Sequence, residues 1–187
     1  MKTDLSRADI HEADLTSARL NQANLSRVNL QDAGLYATDL RGADLCYANL
    51  RGAMLDERTQ LDFKWRLVWE ILNIGRESQE GNDDGQTDLF ETLDDSSVSS
   101  RSLRGQNLSY ADLAGANLQG FNLSHTDFKD TILSKADLTG ADLTRADLTG
   151  ADLTEADLSG ANLRWATVTA EQLKSATNAP LPEATEL

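Results

Sequence analysis

The chain has 187 residues, of which 31 are Asp or Glu and 17 are Lys or Arg, for a formal net charge of −14. That length suggests one domain, or one domain with an insertion, and the acidity argues against a general nucleic-acid binder, which needs a basic face. A single cysteine, Cys46, excludes an internal disulfide framework, no apolar run reaches the roughly 18 residues of a membrane span, and the opening Met1-Lys2-Thr3-Asp4 has no hydrophobic signal region, so a soluble, cytoplasmic protein is the expectation. Thirty Leu and 23 Ala stand against four Val and four Ile, a composition that points to a simple periodic core.

Residues 1–58 show the period. Leu or Ile recurs every fifth position from Leu5 to Leu55, preceded mostly by Ala two residues earlier and by Asp or Asn one residue earlier. Five residues fit neither a helix at 3.6 nor an uninterrupted strand at 2.0. They fit a three-residue strand fragment, with Ala in, Asp or Asn out and Leu in, followed by a two-residue corner rich in Ser, Thr, Gly and charge. One unit buries nothing alone; it becomes stable by stacking on copies of itself.

Residues 59–100 interrupt the period and shift its frame. Within them, about 61–74 reads as a helix, with Thr59 and Asp62 as an N-terminal capping pair and Gly75 as a stop. Leu61, Trp65, Val68 and Leu72 form one apolar stripe; Phe63, Leu67, Ile71 and Ile74 form a second; Asp62, Arg66, Glu70 and Asn73 share a narrow polar face bordered by Trp69. A helix lying on a stack needs one apolar stripe. The second is covered either by the following loop, through Leu89, Phe90 and Leu93, or by a protein partner or second subunit. The candidate interaction residues are therefore Phe63, Trp65, Leu67, Trp69, Ile71, Ile74 and Phe90. Arg76 to Ser100 is polar and acidic, a composition that favours mobility.

Residues 101–167 resume the period from Leu103 to Leu163, with Phe128 the one non-Leu. Arg101, Gln106, Phe121, Thr126 and Thr131 replace the usual Ala, which predicts an irregular cross-section there. Residues 168–187 close the chain with a short helix over Thr169 to Ala176, where Thr169 and Gln172 make a capping box and Leu173 faces inward; Pro180 and Pro182 follow. This predicts a closed C-terminal end. The first coil has no such device, and its open backbone predicts end-to-end pairing, as in a homodimer, or an N-terminal extension.

The A-(D/N)-L-x-x unit, cleanest in Ala136-Asp137-Leu138-Thr139-Gly140-Ala141-Asp142-Leu143, resembles the pentapeptide-repeat family over residues 3–58 and 101–167. The resemblance implies an all-β solenoid: a right-handed quadrilateral β-helix with four units per turn, here with a helical insertion and a short C-terminal capping helix, both repeat blocks belonging to the same solenoid. The segment Lys64-Trp65-Arg66-Leu67-Val68-Trp69-Glu70-Ile71 resembles one found between repeat blocks of cyanobacterial members. Twenty-residue turns would place Asp127 over Asp147 and Asp137 over Asp157, with the carboxylates bonded to corner backbone.

Nothing in the pattern offers catalysis. His11, His125 and Cys46 fall at corners without partners in register, and a flat carboxylate ladder supplies too few converging oxygens for calcium. No catalytic, metal or cofactor site is expected, and neither direct nucleic-acid nor membrane binding. The expected function is a non-catalytic protein–protein interaction or scaffold module whose insertion, 59–100, carries specificity for a protein partner. The alternative is DNA mimicry against a type II topoisomerase, which some members of the resembled family practise. Charge weighs against it: residues 59–100 carry net −7, whereas the two repeat blocks carry −2 and −3, far below the duplex density of one charge per about 1.7 Å.

Overall fold

The structure, a computed structural model, describes residues 2–73 and 101–180. Ile74, Gly75, the acidic stretch to Ser100 with Leu89, Phe90 and Leu93, and Pro182 lie outside the described residues. The chain divides into two compact units, Met1–Ser96 and Ser97–Leu187.

In both units the backbone forms stacked coils of twenty residues, four five-residue units to a turn. Asp4 pairs with Asn24 and Asn24 with Asp44; Ser102 pairs with Asn122, Asn122 with Asp142, and Asp142 with Asn162, all parallel. The pairing consists of single-residue bridges, because three residues between corners leave room for no longer strand. Each bridge follows one rule, seen at the first coil: Leu5 N–H donates to Asn24 C=O (2.9 Å), Asn24 N–H to Thr3 C=O (2.9 Å), and Arg7 N–H to Ser26 C=O (2.9 Å).

The corners explain the two variable positions. Ala8 N–H donates back to Leu5 C=O (3.0 Å), and Arg7, the second corner residue, has φ 61°. The same left-handed residue recurs at each corner from Arg7 to Gly52 and from Gly105 to Trp165, as in a type II turn. An L-residue there costs about 1–2 kcal/mol, and glycine at positions such as Gly42 and Gly140 avoids that cost. The outward Asp or Asn reinforces the corner. Asp14 Oδ1 accepts Thr16 N–H (2.9 Å), and Asp157 Oδ1 accepts both the N–H (2.9 Å) and the hydroxyl (2.6 Å) of Ser159.

Inside, the Leu column is buried from Leu20 to Leu55 and again from Leu103 to Leu158, with Phe128 fully enclosed. At roughly 2 kcal/mol per buried side chain, this column is the main stabilising term. The second unit keeps its twenty-residue register through 101–131 despite the missing alanines. Thr126 and Thr131 bury fully because their hydroxyls donate to Leu103 C=O and Leu108 C=O (2.8 Å each); Phe121 is buried too. The cross-section stays regular in its backbone pairing, contrary to the expectation from sequence.

The first stack runs two residues past its expected end at 58. Asp39 pairs with Gln60, a step of 21, so one extra residue is accommodated after Leu55. Buried Asp56 and Thr59 organise that bulge. Thr59 Oγ1 lies 2.8 Å from Leu35 C=O and 2.8 Å from Asp56 Oδ1, and it accepts Asp56 N–H. Thr59 therefore belongs to the coil, and the expected capping pair with Asp62 does not form.

Two helices follow. α1 spans Phe63–Asn73, and its N-terminus uses Asp62 C=O to accept Trp65 N–H (3.0 Å) and Arg66 N–H (3.1 Å). α2 spans Ala170–Ser175 with Thr169 as N-cap and the full capping box with Gln172. Gln172 Nε2 also donates to Leu148 C=O (2.7 Å) and Ala151 C=O (2.8 Å), so the box that starts the helix also ties it to the last coil. Leu173 is half-buried.

Candidate interaction surface

The last coil of the first stack presents backbone donors that the next coil would otherwise satisfy. Within the stack the left-handed corner N–H always donates upward, as Gln22 N–H does to Arg41 C=O (2.9 Å). At the end of the stack, side-chain oxygens replace those carbonyls. Ala37 N–H donates to Asp56 Oδ1 (2.8 Å), Gly42 N–H to Asp62 Oδ2 (3.1 Å), and Gly52 N–H to Asn73 Oδ1 (2.7 Å). Asn73 Nδ2 donates to Leu50 C=O (3.3 Å) and Trp69 C=O (2.7 Å), and Trp69 Nε1 donates to Ala53 C=O (2.6 Å). An Arg66 guanidinium N–H reaches Thr59 C=O (3.2 Å).

The polar face of α1 is thus turned onto the stack, fastened at both ends. Burial alone would raise the Asp56 carboxyl, but Ala37 N–H, the Thr59 hydroxyl and Arg58 outweigh it and hold it below the usual carboxylate value.

This mounting decides which expected contact residues reach the surface. Phe63 is 56% exposed. Trp65, Leu67 and Ile71 are buried, as are Val68, Glu70 and Asn73, so those three apolar side chains are not displayed as anchors. Trp69 is half-buried with its indole N–H committed to the coil. Ile74 and Phe90 lie outside the described residues. Sequence reasoning missed four exposed side chains elsewhere: Tyr36 and Met54 in the first unit, Tyr110 and Trp165 in the second. The signal was available, because a large apolar residue at a corner or at the outward Asp/Asn position must face solvent.

The titratable groups are arranged for structure. His11 Nδ1 lies 2.9 Å from Asp9 Oδ1 in an exposed pair, which raises the imidazole and lowers the carboxyl, chiefly through that hydrogen bond. Burial, with Asp44 adding to it, pushes the Cys46 thiol up to about 11. Asp127 stacks over Asp147 and Asp137 over Asp157, as the twenty-residue turn requires. Lys129 Nζ lies 3.0 Å from Asp147, and hydrogen bonds from Thr149, burial opposing them, hold the Asp147 carboxyl low. Among the described residues no three His, Cys, Asp or Glu converge in a metal-binding arrangement, and no helix is long and apolar enough to cross a membrane.

Comparison with known proteins defines the class to which these coils belong. The family model for pentapeptide repeats matches in eight copies over residues 3–42, 23–57, 107–145 and 131–169. The chain belongs to the pentapeptide-repeat family. Among solved structures it is similar to HetL, a pentapeptide repeat protein involved in heterocyst differentiation regulation from the cyanobacterium Nostoc sp. strain PCC 7120, at 30% identity over 89% of this chain and 57% of that one, TM-score 0.34. The chain thus spans little more than half the length of HetL. It is also similar to Rfr23 from the cyanobacterium Cyanothece 51142, at 19% identity over 90% of this chain and 89% of that one, TM-score 0.27. A third is QnrB1, a plasmid-mediated fluoroquinolone resistance protein, at 16% identity over 91% of this chain and 70% of that one, TM-score 0.25. No curated protein sequence matches the chain.

Proposed function

We propose that this protein is a non-catalytic interaction or scaffold protein, a right-handed quadrilateral β-helix whose insertion, residues 59–100, is the element that selects a protein partner. The observation that carries this reading is the mounting of α1. Asp62 and Asn73, accepting Gly42 N–H and Gly52 N–H, and Trp69, donating to Ala53 C=O, fix the helix on the last coil, and Phe63 stands exposed at its start. A rigid frame bearing an exposed aromatic suits recognition, because little side-chain entropy is lost on contact.

The test is affinity capture from cells of the source organism, comparing the natural chain with Phe63→Asp. Phe63 is exposed, so the variant keeps its fold, checked by unchanged circular dichroism and melting. A partner held by the natural chain and lost by the variant supports the reading. A partner retained equally by both, or no specific partner at all, sinks it.

A further inference from the structure

One face of the first stack departs from the repeat rule twice in succession. From Asp4 to Met54 every fifth residue points outward, and only Gly34 and Met54 put no polar side chain there. The two follow Asp14 in successive coils of the same face, since Asp14 pairs with Gly34 and Gly34 with Met54. Elsewhere the outward residue braces its corner: Asn24 Oδ1 accepts Ser26 N–H (3.2 Å), Asp39 Oδ1 accepts Arg41 N–H (3.2 Å), and Asp44 Oδ1 accepts Cys46 N–H (3.0 Å). After Met54 the Thr59 hydroxyl accepts Asp56 N–H (3.1 Å) in place of that brace. After Gly34 nothing replaces it, and Tyr36 N–H has no hydrogen-bond partner among the described residues. A break of the local rule with no compensating bond is the kind expected at a functional position.

What the face gains is an apolar patch beside a carboxylate. Tyr36 is 37% exposed and Met54 44%. The Tyr36 ring leans back over the backbone of Gly34, where a Cβ would lie 3.7 Å from the ring and 3.8 Å from Asp14 Oδ1. Ring and carboxylate therefore converge on one point. Asp14 is exposed and makes no ion pair among the described residues. Glu12, also exposed, stands at the corner before it. At the other end of the face Arg58 is already paired with Asp56 (3.0 Å). An aromatic ring beside an unpaired carboxylate is complementary to a guanidinium or ammonium group, and an exposed Met to an apolar side chain.

We propose that the Asp14–Gly34–Met54 face docks a basic, extended segment of a protein partner, with an Arg or Lys head between Asp14 and Tyr36 and an apolar side chain on Met54. Two coil spacings, about 9.6 Å, separate the levels of Asp14 and Met54. Two residues of an extended strand advance about 6.6 Å and point to the same side. A cationic residue two positions from an apolar one, its stem lying over Gly34, therefore spans the face. The net charge of −14 draws such a segment in and disfavours an acidic one. This surface does not depend on the role assigned to Phe63.

A phage-displayed library of random linear peptides, selected on the full chain, supplies the probe, and binding of the recovered peptide is measured by fluorescence anisotropy. The expected peptide carries Arg or Lys two positions from an apolar residue. Asp14→Asn keeps the bond to Thr16 N–H and removes only the charge, so it should bind about threefold more weakly. Tyr36→Ser, which places a common corner residue there, should bind about tenfold more weakly. Gly34→Asn restores the brace to Tyr36 N–H, so it should melt no lower than the natural chain. Its side chain takes the space between ring and carboxylate, so it too should bind about tenfold more weakly. A purely structural position would not lose binding while keeping its stability. Phe63→Asp should leave binding unchanged. No enriched peptide, an acidic one, or equal binding by Asp14→Asn or Tyr36→Ser overturns the proposal. Loss of binding in Phe63→Asp would assign the peptide to the insertion and overturn it as well. So would a concentration-dependent dimer in sedimentation that Tyr36→Ser abolishes, which assigns the face to a second copy.

Discussion

Replacing Asn73 with Ala removes a side chain that makes three hydrogen bonds, two of which join α1 to the last coil. Asn73 Oδ1 accepts Gly52 N–H (2.7 Å), and Nδ2 donates to Leu50 C=O (3.3 Å) and Trp69 C=O (2.7 Å). Asn73 is buried, so its partners lose their bonds without ready replacement by water. Leaving a buried polar group unsatisfied costs about 1–3 kcal/mol. Trp69 C=O belongs to the last turn of the helix, and Gly52 is half-buried, so solvent relieves part of the loss. The expected net destabilisation of the first unit is about 2–3 kcal/mol. Helix propensity runs the other way, since Ala is a better helix former than Asn by about 0.5 kcal/mol, so a loss of stability cannot come from the helix itself. Urea unfolding followed by circular dichroism measures the change; the midpoint should fall with the slope unchanged, and the thermal midpoint should drop by about 5–10 °C. An Asn73→Ala protein as stable as the natural one, within ~0.5 kcal/mol, would refute the capping role of the polar face.

Other positions test other parts of the account. Gly140 and Gly150 both hold left-handed corners, but a Cβ at Gly140 meets nothing, whereas at Gly150 it overlaps the Asp130 carboxylate. Gly150→Ala should cost about 1 kcal/mol more than Gly140→Ala, and Asp130→Ala should remove that excess in a double-mutant cycle; a coupling near zero contradicts the stacking of these corners. The imidazole of His11 should titrate above the ordinary histidine value by NMR, because its charged form is favoured by Asp9, and Asp9→Asn should bring the midpoint down; no change on that substitution breaks the pair. Cys46, its thiol pushed up to about 11, should react slowly with a disulfide reagent at pH 7 and accelerate as pH rises; fast reaction at neutral pH is inconsistent with that burial.

Much of the coil was legible in the sequence because its rule is local. Ala-Asp-Leu alternation sets which side chains point inward, and the outward Asp or Asn serves the corner two residues on, so stacking Asp127 over Asp147 needs no distant information. Thr126 and Thr131 looked like defects because residue type alone does not reveal a carbonyl in the coil before, within reach of a hydroxyl. The insertion was harder. Its apolar stripes suggested that stickiness fixes the helix, yet Asp62, Trp69 and Asn73 set its orientation by answering the backbone groups of Gly42, Ala53, Leu50 and Gly52. Those demands exist only once the coil has been built and ended, so no pattern within 61–74 announces them. The same logic misplaced Thr59, whose hydroxyl serves Leu35 C=O and not the start of the helix.

Amide hydrogen exchange at Gly42 and Gly52 tests the central claim most directly, since both N–H groups are held by side chains of the insertion alone. If α1 closes the first stack and is thereby fixed as a mount for Phe63, both amides are protected, with Gly52 losing its protection selectively in Asn73→Ala. Exchange of both at the rate of an unstructured peptide, while the amides of Leu25 and Leu30 inside the stack stay protected, would mean that the helix is not held there and that the account of the insertion is wrong.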